Sequence, residues 1–253
     1  MLYGFRQAAA AWERLYSGKL EGCGFVRGKS CGVVFYHPAR DVSCVVHGDD
    51  FTFVGCEEDL RWITKMMRGW FDIKVRAKLG PDAEDDKDVV ILGRQVKWTE
   101  SGIEYKADPK HRELILEHFG FEKDTKGLSA NGEKNWRPNE EWEEELLEKE
   151  ESTQYRAVCA RGNFLSLDCP DLQFPIKDCS RDMSKPVVGS WKNLKKLARY
   201  LVNRESVVWN FPWQSEKDGT TDMSHVCTDS DWGGQRRDRK STSGGVWFMG
   251  NHS

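Results

Sequence analysis

Two adjacent aspartates, Asp49 and Asp50, stand where one β-type run, Val42-Ser43-Cys44-Val45-Val46, gives way to another, Phe51-Thr52-Phe53-Val54. Side-by-side carboxylates repel unless a cation neutralises them, and hard oxygen donors of this kind suit a divalent ion such as Mg²⁺. Aspartate is also a favoured turn residue, so the pair reads as solvated turn charge as well. Further along, Asp229 and Asp231 repeat the acidic theme. Between Lys185 and Arg204 there are four lysines and two arginines and no acid, which is the composition of a phosphate-contacting face.

The cysteines point elsewhere. All eight are scattered, none in a Cys-x-x-Cys pair and none beside a histidine at zinc-finger spacing. They read as free or buried thiols in a reducing, cytoplasmic or nuclear compartment. Net charge is −3, but residues 140–151 alone carry −7, so the remaining residues sum to +4. That positive remainder keeps a nucleic-acid partner open, with Arg236, Arg237, Arg239 and Lys240 as a second cluster. Mean hydropathy of −0.68 and the absence of any apolar run near the roughly 20 residues a bilayer requires argue against a membrane partner.

Several elements must hold these groups in place. Trp12, Leu15 and Tyr16 repeat at helical spacing, which predicts a helix over 7–20. Two strands follow, Cys31–His37 and Val42–His47, and then the Asp pair leads into Phe51–Val54. Glu57, Glu58 and Asp59 suit a helix N-terminus, and Leu60, Ile63, Met67 and Trp70 form its apolar stripe. Residues 82–88 read as an acidic loop. Val89–Gly93 and Val96–Trp98 read as one strand, with Gly102–Tyr105 as its hairpin partner. Asp108-Pro109 opens a helix to Phe119. A polar linker follows over 123–137, and then an acidic stretch that is an exposed helix or disordered. Helices are predicted at Tyr155–Leu167 and around Trp191, Leu194, Ala198 and Leu201. Strands are predicted at Val207–Phe211, His225–Thr228 and Gly244–Met249.

Five blocks, in order, resemble the Pol polyprotein of copia-type LTR retrotransposons. Leu2-Tyr3-Gly4-Phe5-Arg6-Gln7-Ala8-Ala9-Ala10-Ala11-Trp12 resembles a block in the family's reverse-transcriptase palm. His47-Gly48-Asp49-Asp50 resembles its YVDD polymerase box, and Leu92-Gly93-Arg94-Gln95-Val96 the strand that follows. Tyr155-Arg156-Ala157-Val158 through Cys169-Pro170-Asp171-Leu172 is similar to a later stretch. Asp229-Ser230-Asp231-Trp232-Gly233-Gly234, with Arg239-Lys240-Ser241-Thr242-Ser243-Gly244-Gly245, is similar to the start of the RNase H domain.

The resemblance implies an α+β fold. It places a partial reverse-transcriptase palm over 1–106, with an antiparallel sheet backed by helices. A thumb-like helix and acidic linker follow over 107–151, a connection region over 152–220 and a truncated RNase H hairpin over 221–253. It implies RNA-directed DNA polymerase chemistry with two Mg²⁺ ions, and Asp49 and Asp50 as palm ligands. Gln7 would lie near the incoming dNTP, and Asp229 would be a first RNase H ligand. Lys192, Lys195, Lys196 and Arg199 would run along an RNA/DNA template–primer. Asp231 matches a family position read equally as structural. Other Pol segments or a second Pol chain are implied partners.

The departures matter too. His47 and Gly48 replace the family's Tyr and Val, and Ala9 and Ala10 replace Pro and Arg. The family carries another palm Asp ahead of the Leu2 block, and a Glu and further Asp beyond the RNase H start. Both metal sites are therefore expected to be incomplete within these residues. The alternative expectation is a catalytically inactive remnant that at most binds nucleic acid.

Overall fold

The computed structural model describes residues 7–122, 124–130, 144–214, 223–234 and 239–252. The Leu2–Arg6 part of the first block, residues 131–137 of the linker, the start of the acidic stretch at 140–143, and Arg236 and Arg237 lie outside these. The chain divides into two compact units, Met1–Arg76 and Ala77–Ser253.

The first unit runs α1 (Ala8–Gly22), β1 (Val26–Arg27), β2 (Val34–His37), β3 (Val42–His47), β4 (Asp50–Val54) and α2 (Glu57–Trp70). Its sheet has the order β1-β2-β3-β4, antiparallel throughout. The period-2 pattern of β3 buries Val42, Cys44 and Val46 and exposes Ser43, Val45 and His47. Those inward residues and Phe35 form one core with Tyr16 and Leu20 of α1 and Ile63 and Met67 of α2. This is the helix-backed antiparallel sheet expected of the N-terminal part. Trp12, Tyr16, Phe51 and Phe71 meet edge-on or stacked around one end of it, with ring centroids 5.1–6.3 Å apart.

The second unit begins with β5 (Asp88–Ile91), β6 (Arg94–Thr99) and β7 (Gly102–Ala107). Helices α3 (Lys110–His118), α4 (Lys149–Ser166), α5 (Pro170–Arg181) and α6 (Val188–Val202) follow. Then come β8 (Val208–Pro212), β9 (Ser224–Ser230) and β10 (Ser243–Met249). The segment read as one strand over 89–98 is a hairpin. Leu92 (φ 49°) and Gly93 (φ 74°) both take positive φ, as a type I′ turn requires, and split it into β5 and β6. Strand β8 then adds to β7, giving the order β5-β6-β7-β8. These three strands fall within the second unit, Ala77–Ser253. At Gly102 any Cβ would stand 2.2 Å from the Phe211 carbonyl oxygen, so the β7–β8 approach requires glycine.

The helical core gathers Ile115 of α3, Tyr155, Val158, Cys159 and Leu165 of α4, Leu172, Ile176 and Cys179 of α5, and Leu194, Ala198 and Leu201 of α6. Helix α5 was not foreseen: Pro170 at its first turn is well placed for a helix start, and Leu172, Ile176 and Cys179 bury one face. Within the acidic stretch, Glu148 and Glu151 close a capping box that starts α4. The chemistry is mixed α and β with antiparallel sheets, consistent with an α+β fold.

Two polar anchors fix the sheet and helices of this unit. The Asp168 carboxylate, after α4, accepts from Arg94 Nε at 3.1 Å and Tyr105 Oη at 2.7 Å, while the Asp168 carbonyl accepts from Trp209 Nε1 at 2.8 Å. The Arg112 guanidinium of α3 donates to the carbonyls of Leu201, Val202 and Arg204, capping the C-terminus of α6.

Candidate functional site

The aspartate pair sits on the two-residue hairpin between β3 and β4, where His47 pairs with Asp50 and Gly48-Asp49 form the loop. Gly48 has φ 63° and Asp49 does not take positive φ, the signature of a type II′ turn with glycine first. Gly48 is thus the residue that this turn geometry favours. Asp49 is exposed and Asp50 is half-buried.

Two residues that the sequence did not flag hold the turn. Trp12 Nε1 of α1 donates to the Gly48 carbonyl at 2.7 Å, a bond spanning 36 residues. Arg76 places its guanidinium 3.2 Å from the Asp50 carboxylate. That ion pair is largely exposed, so it is weak, yet it sets a cation beside the carboxylates. Gln7 is the N-cap residue of α1, exposed, with its carbonyl accepting from Ala11 N–H. Among the described residues no hydrogen bond joins its side chain to the turn.

The second unit carries the remaining predicted residues. On α6, Lys195 is exposed and its ammonium lies 6.0 Å from the Phe121 ring centroid. Lys192 and Lys196 are half-buried along the same helix. Arg199 donates through Nε and Nη2 to the Lys126 carbonyl, and its own carbonyl accepts from Leu128 N–H. Arg199 therefore pins the 126–128 loop to α6 as well as contributing charge. On β9, Asp229 is exposed opposite Gly244. Asp231 follows at the loop end of the hairpin, where its carboxylate and its N–H bond the N–H and the carbonyl of Thr242. Lys177 of α5 donates to Thr242 Oγ1 and ties that end to the helices.

A two-Mg²⁺ centre needs several hard oxygen ligands around each ion. Asp49 and Asp50 match in kind, as two carboxylates on an accessible turn. They do not match in number, since no cluster of three or more His, Cys, Asp or Glu side chains converges among the described residues. The described residues alone do not fit a two-ion site.

The thiols are chemically quiet where they are buried. All eight cysteines are unbridged. Burial pushes the thiols of Cys44 and Cys159 up to about 12 and raises that of Cys179 as well. Among the described residues no helix is long and apolar enough to cross a membrane.

No family model matches the chain, and no solved structure matches it significantly. Two of its curated relatives are Pol polyproteins of transposons. Over 100 residues, 40% of the chain, it is 30% identical to the Retrovirus-related Pol polyprotein from transposon RE2 of Arabidopsis thaliana. Over a span of the same length it is 28% identical to the corresponding polyprotein from transposon RE1 of that plant. It is also 24% identical over 160 residues to the uncharacterized mitochondrial protein AtMg00810 of Arabidopsis thaliana, a match covering 63% of this chain and 62% of that protein. The chain spans only 6% of the length of the two polyproteins. These relatives agree with the copia-type resemblance of the sequence blocks.

Proposed function

We propose that the chain is a segment of a copia-type retrotransposon Pol polyprotein, drawn from its RNA-directed DNA polymerase and the start of its RNase H domain. The observation that carries this reading is the Asp49-Asp50 pair on a tight hairpin of a helix-backed antiparallel sheet, in a chain whose curated relatives include two Pol polyproteins. On this reading residues 1–106 derive from the palm, 107–151 from a thumb-like helix and acidic linker, 152–220 from the connection, and 221–253 from the RNase H hairpin. The intact polyprotein would add dNTPs to a primer on an RNA or DNA template, and bound Mg²⁺ would supply the charge neutralisation that phosphoryl chemistry needs.

What these residues do is narrower. The turn presents two carboxylates, Trp12 holds its backbone, and Arg76 balances Asp50. Asp229 presents a third carboxylate in the other unit. Lys192, Lys195 and Lys196, with Arg199, supply positive charge for a template–primer backbone. Because the described ligands are too few for either metal centre, a second reading follows: a binding segment without catalysis of its own, acting with other Pol segments or a second Pol chain.

Two measurements on the purified chain test these readings. Binding to a template–primer duplex should fall steeply with salt and weaken without sequence preference in a Lys195→Glu/Lys196→Glu variant. Absence of binding at low salt removes the nucleic-acid role. Primer extension should not exceed that of an Asp49→Asn control, and extension well above it refutes the non-catalytic reading in favour of a working polymerase.

A further inference from the structure

The basic helix α6 starts against an acidic strap. Leu147 N–H donates to the Pro186 carbonyl at 3.0 Å, Val188 N–H donates to the Glu145 carbonyl at 2.9 Å, and Leu146 pairs with Val187 in an antiparallel bridge. Val188 is the first residue of α6, so a strap carbonyl takes one of the N–H groups that a helix start leaves open. The strap is held on its other side too. Leu147 packs against the helical core, and the capping box of Glu148 and Glu151 runs the strap directly into α4. Backbone bonds, a core contact and a helix cap make it a fixed part of this surface rather than a lid.

What the strap brings to that surface is negative charge. Residues 144–151 hold five glutamates and one lysine, a net charge of −4. Glu144, Glu145 and Glu148 are exposed. Along α6, Val188, Lys192, Lys195 and Arg199 follow at the spacing i, i+4, i+7 and i+11, so the strap sits at the head of the basic row. From Val188 the rise along the helix is about 6 Å to Lys192 and about 10 Å to Lys195. Both lie within about one Debye length at 0.1 M salt. A helix N-terminus ordinarily attracts phosphate through its open N–H groups and its dipole. At α6 that end is bonded to the strap and flanked by carboxylates.

We propose that residues 144–148 are a built-in electrostatic shield, which repels a nucleic-acid backbone from the start of α6 and confines it to the Lys195–Arg199 half. This inference rests on the nucleic-acid reading of α6 given above and adds how that face is regulated. The favoured half carries Lys195 and Lys196, and Arg199 holds the 126–128 loop there, which brings the exposed Lys126 to the same end of the helix. Carboxylate–phosphate repulsion over about 10 Å of water is small for each pair, so the shield trims affinity by a modest factor that salt erases.

Titration of the full chain into a fluorescein-labelled RNA/DNA template–primer duplex, followed by anisotropy, tests this. Glu144→Gln/Glu145→Gln removes two exposed charges and keeps side-chain size. It should bind about fivefold tighter than the unmodified chain at roughly 20 mM salt, and less than about twofold tighter at roughly 150 mM. The same net change in the loop before β5, Asp82→Asn/Glu84→Gln, should alter affinity by less than about 1.5-fold. Amide exchange at Leu147 and Val188 should be equally slow in the strap variant and the unmodified chain. If the unmodified chain binds and the strap variant binds no tighter, the shield is overturned while the nucleic-acid reading stands. An equal gain from the loop variant overturns it as well, because net charge alone then accounts for the gain. A gain accompanied by lost protection at Leu147 and Val188 overturns a fixed shield, since the strap has then lifted. Binding by neither chain at low salt overturns both readings.

Discussion

Removing the Asp168 carboxylate should cost the second unit about 3 kcal/mol. Asp168 is 6% exposed and sits where the end of α4 meets the β6–β7 hairpin. Its carboxylate is 3.1 Å from Arg94 Nε, and Arg94 is mostly buried, with its guanidinium 4.8 Å from the Phe164 ring centroid. Asp168→Ala leaves that guanidinium in place without its counter-ion. Breaking a buried pair in this way costs about 3–5 kcal/mol, and the lower end applies because Arg94 keeps some access to water. Tyr105 adds a second link. Burial, and then the hydrogen bond to Asp168, raise its phenol, so it stays a protonated donor at neutral pH. Tyr105→Phe alone should cost about 1.5 kcal/mol, the value of a hydrogen bond to a charged acceptor. In the Asp168→Ala background the same change should cost almost nothing, because its acceptor is gone. Urea unfolding followed by tryptophan fluorescence reads all four corners of this cycle, with Trp209 bonded to the Asp168 carbonyl as a local reporter. On heating, the single Asp168→Ala change should lower Tm by roughly 6–12 °C for a unit of this size. A loss below about 1 kcal/mol, the scale of a surface ion pair, would refute the assignment of a buried anchor. So would a Tyr105→Phe cost that is unchanged in the Ala background.

Other positions give sharper local readouts. Trp12→Phe keeps the aromatic packing but deletes the bond to Gly48, and should cost about 1 kcal/mol and speed amide exchange at Asp49 and Asp50. Gly162→Ala would put a Cβ 2.3 Å from Ile176 Cδ1, so the buried Ile176 side chain must repack, at about 1–3 kcal/mol in thermal unfolding. Arg112→Ala uncovers two α6 carbonyls, of Leu201 and Val202, and that of Arg204 just beyond it, and should destabilise by about 2 kcal/mol, whereas Arg112→Lys, lacking the fork, should recover only part of it. Burial holds the His111 imidazole below its ordinary value, with its Nδ1 buried and unbonded against Phe164. The neutral form is favoured by folding, so this contribution is complete above the unfolded value of about 6.5 and is lost as pH falls through it. A His111→Gln variant should show a flatter acid limb in stability measured from pH 7 to 5.

Much of the first unit was legible because its elements carry strong periodicity. The alternation in β3 and the Ile63 and Met67 stripe of α2 are period-2 and period-3.6 patterns, and both bury as read. The short β1 was missed, since two residues carry no period. The β5–β6 turn was missed because Leu92, a poor turn residue, takes a left-handed conformation that the surrounding sheet enforces. Local sequence says nothing of β7 pairing with β8, which lies far along the chain. At the candidate site the two carboxylates were visible as a motif. Trp12 and Arg76 were not, because an indole 36 residues away and an arginine beyond a helix become neighbours only in the fold. The basic face on α6 was visible as composition, but the Arg199 contact to Lys126 depends on where the loop returns.

The β7–β8 pairing also sets a clock on biosynthesis. Strand β7 leaves the ribosome complete at Ala107, but the partner for its far edge is made only at Val208–Pro212. At elongation rates of about 5–20 residues per second the nascent chain waits roughly 5–20 s with that edge unpaired. Glu104 and Lys106 lie on β7 itself, and Lys97 faces Glu104 from β6. Charges on a waiting edge discourage a neighbouring nascent chain from docking there first. Replacing them with threonine or valine should therefore lower soluble yield more than it lowers the stability of the finished protein.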